Sequence, residues 1–83
     1  MNKLFIYEYI NRLTKEDIIR FGLSQGIKLL EYEVETIYSY IKNDYLRFFD
    51  DPETVLLEVR YKVRDITYNK IMELYNKYKI FIN

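Results

Sequence analysis

Asp50-Asp51-Pro52-Glu53 reads as a helix start in the middle of the chain. Asp51 has the short acceptor side chain that an N-cap needs. Pro52 suits the first helical position, where the missing N–H would have found no partner anyway. Beyond it Val55, Leu56, Val59 and Val63 recur at the three- and four-residue spacing of one helical face. The spacing predicts a helix over 52–64.

Upstream, the same periodicity predicts a helix starting near Glu31, with Val34, Ile37, Tyr38, Ile41 and Tyr45 as its apolar stripe. Phe48 and Phe49 follow it and are expected to close one end of the core. Glu31, Glu33 and Glu35 crowd its first turn, where the helix dipole favours acids. Residues two apart on a helix point away from each other, so the three read as solvated side chains and not as a converging site. Before this helix, residues 27–30 form a short connector whose apolar side chains plug the core. Gly26 ends a second helix by supplying a left-handed conformation. That helix starts at Thr14, with Asp17 at the third position as a shortened capping box, and turns Ile18, Phe21 and Gly22 inward.

The two ends of the chain complete the pattern. Phe5, Ile6, Tyr9, Ile10 and Leu13 share one face of a helix over about 3–12. Downstream of residue 64, Asp65 or Thr67 is expected to cap a fifth helix with Ile71, Leu74, Tyr75, Tyr78 and Ile82 as its stripe. The fold class is all-α, a compact small bundle of about five helices in a single domain over 1–83. The core is expected to include Ile10, Ile18, Phe21, Ile37, Ile41, Val59, Ile71 and Leu74. The alternative is α+β, with residues 4–7 and 78–82 as a short terminal strand pair, because short apolar runs distinguish helix from strand poorly.

Composition narrows the function. The chain has 83 residues, 49% of them hydrophobic, with 10 Tyr and 5 Phe to fill a core. Without cysteine there are no disulfides, and without histidine no metal ligand of the usual nitrogen or sulfur kind. The commonest general base and the best nucleophile are therefore both missing, and the adjacent Asp50 and Asp51 are explained by capping. No phosphate-binding loop, dinucleotide fingerprint or EF-hand loop occurs. The chain is expected not to be an enzyme, and to hold no metal or cofactor.

Thirteen basic residues balance thirteen acidic ones, without the basic excess of a dedicated nucleic-acid binder. The helix–Gly26–helix unit resembles a helix–turn–helix, but Glu31, Glu33 and Glu35 at the second helix would repel a phosphate backbone. The longest uncharged stretch, residues 21–27, is far short of a membrane span. The N-terminus reaches Glu8 too soon for a signal peptide, so a cytoplasmic location is expected.

Asn11-Arg12-Leu13-Thr14, the Gly26-Ile27 turn before an acidic helix, Phe48-Phe49-Asp50-Asp51 before a fourth helix and a closing helix with Leu74-Tyr75 resemble a family of uncharacterised short helical proteins from low-GC Gram-positive bacteria. The resemblance spans nearly the whole chain. It implies a helical fold and a bacterial cytoplasm, and carries no activity, partner or site residue with it.

One group of residues calls for a partner. Leu57, Arg60, Tyr61 and Arg64 lie on the side of the 52–64 helix away from its valine stripe. Arg and Tyr beside an exposed aliphatic residue have the composition of an interaction hot spot. The expected function is a non-enzymatic protein-interaction module, with another chain or itself as partner. The competing explanation for this face is internal packing on both sides of the helix. The alternative function is a weak nucleic-acid binder using Arg60, Lys62, Arg64, Lys77 and Lys79.

Overall fold

In the computed structural model, which describes residues 3–81, the chain forms α1 (Lys3–Arg12), α2 (Lys15–Ser24), α3 (Glu31–Asp50), α4 (Pro52–Arg60) and α5 (Asp65–Tyr78), then a 3-10 turn (Lys79–Phe81). The protein is an all-α globule of five helices, with no strand among the described residues. The terminal strand pair is thereby excluded: residues 4–7 are in α1 and residues 79–81 in the 3-10 turn. Ile82 lies outside the described residues.

The local signals act as their chemistry requires. Asp51 closes one helix and opens the next. Its N–H donates to Arg47 O at 2.8 Å, and its carboxylate accepts from Thr54 N (3.3 Å) and Thr54 Oγ1 (2.6 Å). Thr14 and Asp17 form the reciprocal box in full, with Thr14 N to Asp17 Oδ2 at 2.9 Å and Asp17 N to Thr14 Oγ1 at 3.1 Å. Gly26 has φ +83°, and around it Ile27 N donates to Gly22 O and Gly26 N to Leu23 O, the two bonds of a Schellman ending. Gly22 is used differently. A Cβ there would stand 3.1 Å from both Ile27 O and the Leu29 side chain, so the connector folds tightly back over it.

At twenty residues α3 is about 30 Å long and forms the spine, with α1, α2 and α4 packed on it. It is kinked at Asp44 (φ −123°, ψ 15°). Arg47, one turn later, grips Glu58 of α4 with both terminal guanidinium nitrogens, at 2.7 and 2.8 Å. Val34, Val55, Leu56, Val59, Ile10, Leu13, Ile18 and Ile27 are the buried apolar residues. Phe48 meets Phe49 and Tyr75 edge-on, with ring centroids 6.1 and 6.0 Å apart, and closes one end as expected.

Four expectations need correction. First, α4 stops at Arg60, not Arg64: Tyr61 N and Lys62 N turn back to Glu58 O and Val59 O in tight three-residue bonds. Second, α5 has Arg64 in its N-cap position, with no side-chain cap, so neither Asp65 nor Thr67 serves there. Third, Phe21 of the expected core is 54% exposed, and Phe5 and Tyr9 of the α1 stripe are also exposed. Fourth, Glu33 is not solvated; it is 0% exposed.

Attachment of α1 is light. Among the described residues it packs on α3 alone of the helices, Ile10 and the following Leu13 are buried, and Lys42 pins its last turn. Lys42 Nζ donates to Ile10 O (2.6 Å) and Asn11 O (3.1 Å), placing a cation at the negative end of the helix. Lys42→Met keeps the apolar stem and removes the donors. It should speed hydrogen exchange of the α1 amides by roughly tenfold while α3 and α4 exchange as before. Unchanged α1 protection would show that Ile10 and Leu13 hold the helix unaided.

Candidate interaction cleft

The backbone of α5 packs on α4 and the 3-10 turn, and reaches neither α1 nor α2. Its apolar stripe still points toward them. Thr67, Ile71 and Leu74 recur at four and three residues, so they form one wall. Tyr9 of α1 and Phe21 of α2 stand on the other, with Ile37 and Ile41 of α3 as the floor. Between the walls lies an open, apolar cleft of about 290 Å³. A second space of about 300 Å³ lies among Ile10, Tyr45, Phe48, Val55, Leu56 and Val59, and shares Ile37, Ile41 and Ile71 with the first. These spaces explain why Ile37, Ile41, Ile71 and Leu74, all expected in the core, are only half-buried.

Polar groups at the cleft are few, and its two charged ones are engaged. Asp17 is committed to the α2 cap and to Arg20 Nη2 (2.6 Å), and Lys70 pairs with Glu73 (3.1 Å). Hydrogen bonds from Thr14 hold the Asp17 carboxyl below its usual range. Thr67 Oγ1 is buried next to the Glu33 carboxylate, close enough to help hold its charge, yet meets the geometry of no hydrogen bond.

Of the four residues expected to form an interface, Arg64 leaves the face that the other three share. Leu57 and Tyr61 are exposed, Tyr61 at 80%, and Arg60 rests over the Tyr68 ring at 5.7 Å. Arg64 turns the other way. Its N–H donates to Glu33 Oε2 (2.9 Å), and its guanidinium donates to Glu33 Oε1 (2.8 and 3.1 Å) and Lys28 O (3.0 Å). Glu33 also accepts from Leu30 N at 3.0 Å. Burial pushes the Glu33 carboxyl up, but these donors outweigh it and hold it at about 2. The Glu33 side chain has no exposure, whereas the Arg64 side chain paired with it is 36% exposed.

The basic set is dispersed. Besides Arg64, Lys62 is engaged, donating to Tyr40 Oη at 2.9 Å; Tyr40 in turn donates to Glu58 at 3.1 Å. Lys77 lies 5.4 Å from the Tyr78 ring. Lys77 and Lys79 are at the far end of α5 from Arg60 and Arg64, roughly 18 Å away along the helix. No continuous basic stripe results.

Among the described residues no three acidic side chains converge as a metal site, and no helix is long and apolar enough to cross a membrane. No motif or spacing points directly to the cleft. Its walls are legible as apolar stripes, which periodicity alone places in the core. No family model, curated protein or solved structure matches the chain.

Proposed function

We propose that this chain is a non-enzymatic protein-interaction module whose docking site is the cleft between the α1–α2 pair and α5. One observation carries the reading. The Ile71/Leu74 stripe faces exposed Tyr9 and Phe21 across an unfilled apolar gap. Exposed aromatic side chains beside a concave apolar floor are what a partner's apolar helix or ridge buries. Four of the acids are held as caps or ion pairs, Asp17, Asp51, Glu33 and Glu58, and the cleft's one acid, Asp17, is among them.

A paired capture experiment tests this. Immobilised wild-type chain should retain protein that a Phe21→Glu chain does not, while Leu57→Glu, on the outer face of α4, should retain it as the wild type does. Retention should survive moderate salt, because apolar contacts are insensitive to it. Loss of retention by Leu57→Glu alone would move the site to α4. Bound nucleic acid that is released steeply as salt rises would replace this reading with the phosphate-binding one.

A further inference from the structure

We infer that α1 is a strap that tilts about its last turn and lays Phe5 and Tyr9 into the cleft, so that the free chain covers its own docking site. The closure is a property of the chain alone, and its role as a gate rests on the cleft being that site. α1 is fastened at one end. Its grip on α3 fades toward its start: Leu13 and Ile10 are buried, Ile6 is half-buried, and no side chain from Leu4 to Tyr9 is buried. Lys42 holds it at the same end, on Ile10 O and Asn11 O. The junction with α2 is only Leu13 and Thr14, and the Thr14–Asp17 box fixes it. A helix secured at its last turn and lightly held before it tilts at low cost.

Position and chemistry make α1 the occupant. Tyr9 already lines the cleft, yet it is 69% exposed, so it overhangs the gap without filling it. Phe5 lies one turn earlier on the same face of α1 and is as exposed. Across the gap, Ile71 and Leu74 of α5 are half-buried. Bringing the two rings onto these side chains removes apolar surface from water on both walls at once. The movement is small. Phe5 is about 7.5 Å from Ile10 along the axis, so a tilt of about 30° carries it about 4 Å. Because α1 is joined to α2 through Leu13 and Thr14 alone, closure costs no association entropy, unlike covering by a separate chain. The arrangement described above is the open one, with Tyr9 and Phe21 exposed to a partner.

A single tryptophan reads the closure, because the chain has none of its own. In a Phe5→Trp chain with the strap closed in about nine molecules of ten, acrylamide should quench the indole roughly fivefold less efficiently than in the urea-unfolded chain. The shelter should be the same at every protein concentration. Adding Leu74→Asp on the facing wall should return the indole to full quenching, with helical circular dichroism retained. Tyr9→Asp, at an exposed position of α1 itself, should do the same. Leu57→Asp, on the outer face of α4, should leave the indole sheltered. An indole quenched as freely in the folded chain as in urea overturns the inference. So does shelter that appears only on concentrating the protein, or that survives both Leu74→Asp and Tyr9→Asp. None of these results touches the docking reading, which stands or falls on Phe21-dependent capture.

Discussion

Glu33→Ala should lower the thermal midpoint by roughly 10–20 °C, one of the two largest effects expected of any single substitution in the chain. The carboxylate is the common acceptor for Leu30 N, Arg64 N and the Arg64 guanidinium, so one residue ties the start of α3 to the turn between α4 and α5. Removing it leaves three donor groups without their acceptor. The same size of effect follows from acid. The carboxyl titrates at about 2 in the folded chain against 4.5 when unperturbed, a gap corresponding to about 3 kcal/mol. Because the folded value is the lower one, the unfolded chain takes up the proton first as pH falls. The stabilisation is complete above about pH 4.5 and is lost progressively toward pH 2. Glu58, held at about 2 chiefly by Arg47, adds to the same acid limb. Urea titrations from pH 7 to pH 2 should show wild-type stability falling steeply in that window, and the Glu33→Ala profile falling less from a lower plateau. A Glu33→Gln chain melting within a few degrees of wild type would mean that shape, and not charge, holds the turn.

Glu33 also shows where reading the sequence stops. Caps are local: Asp51-Pro52 and Thr14-Lys15-Glu16-Asp17 satisfy their own backbone within one turn, so three or four residues reveal them. Gly26 is local in the same sense. Glu33 is buried by Arg64, 31 positions away. Nothing in the Glu31/Glu33/Glu35 alternation distinguishes the middle acid from its exposed neighbours. Arg64 misled for the matching reason. It continues the three- and four-residue spacing of Leu57, Arg60 and Tyr61, so it reads as one more turn of α4. The turn is not made because Glu33 takes both its N–H and its guanidinium. No glycine or proline marks that boundary. Periodicity has a further limit at the cleft. It correctly grouped Ile71 with Leu74 and Ile18 with Phe21. A stripe records which residues face one way, whereas burial depends on what stands opposite. Opposite Phe21 stands an open gap.

The two leucines at the centre of α4 should separate by almost the whole range available to a core substitution. Leu56 is 6% exposed and Leu57 is 52% exposed. Leu56→Ala should cost about 3 kcal/mol, because the lost methyls leave a void that the surroundings fill only in part. Leu56 already borders the second apolar space among Tyr45, Phe48 and Val55, so its truncation enlarges an existing gap. For a domain of this size, with a total stability of about 4–12 kcal/mol, that is a quarter or more of the whole, and the urea midpoint should drop by roughly 2 M. Leu57→Ala should stay within about 0.5 kcal/mol of wild type. The comparison bears on the interface as well as the fold. Both leucines share one helix, so propensity changes cancel between them and the difference reports burial alone. A partner that binds only the folded chain adds its binding energy to the apparent stability, so with the cleft as the docking site a saturating partner should raise the cost of Phe21→Ala and leave that of Leu57→Ala near zero. A Leu57→Ala cost that grows with partner concentration would instead put the docking site on the Leu57–Tyr61 face.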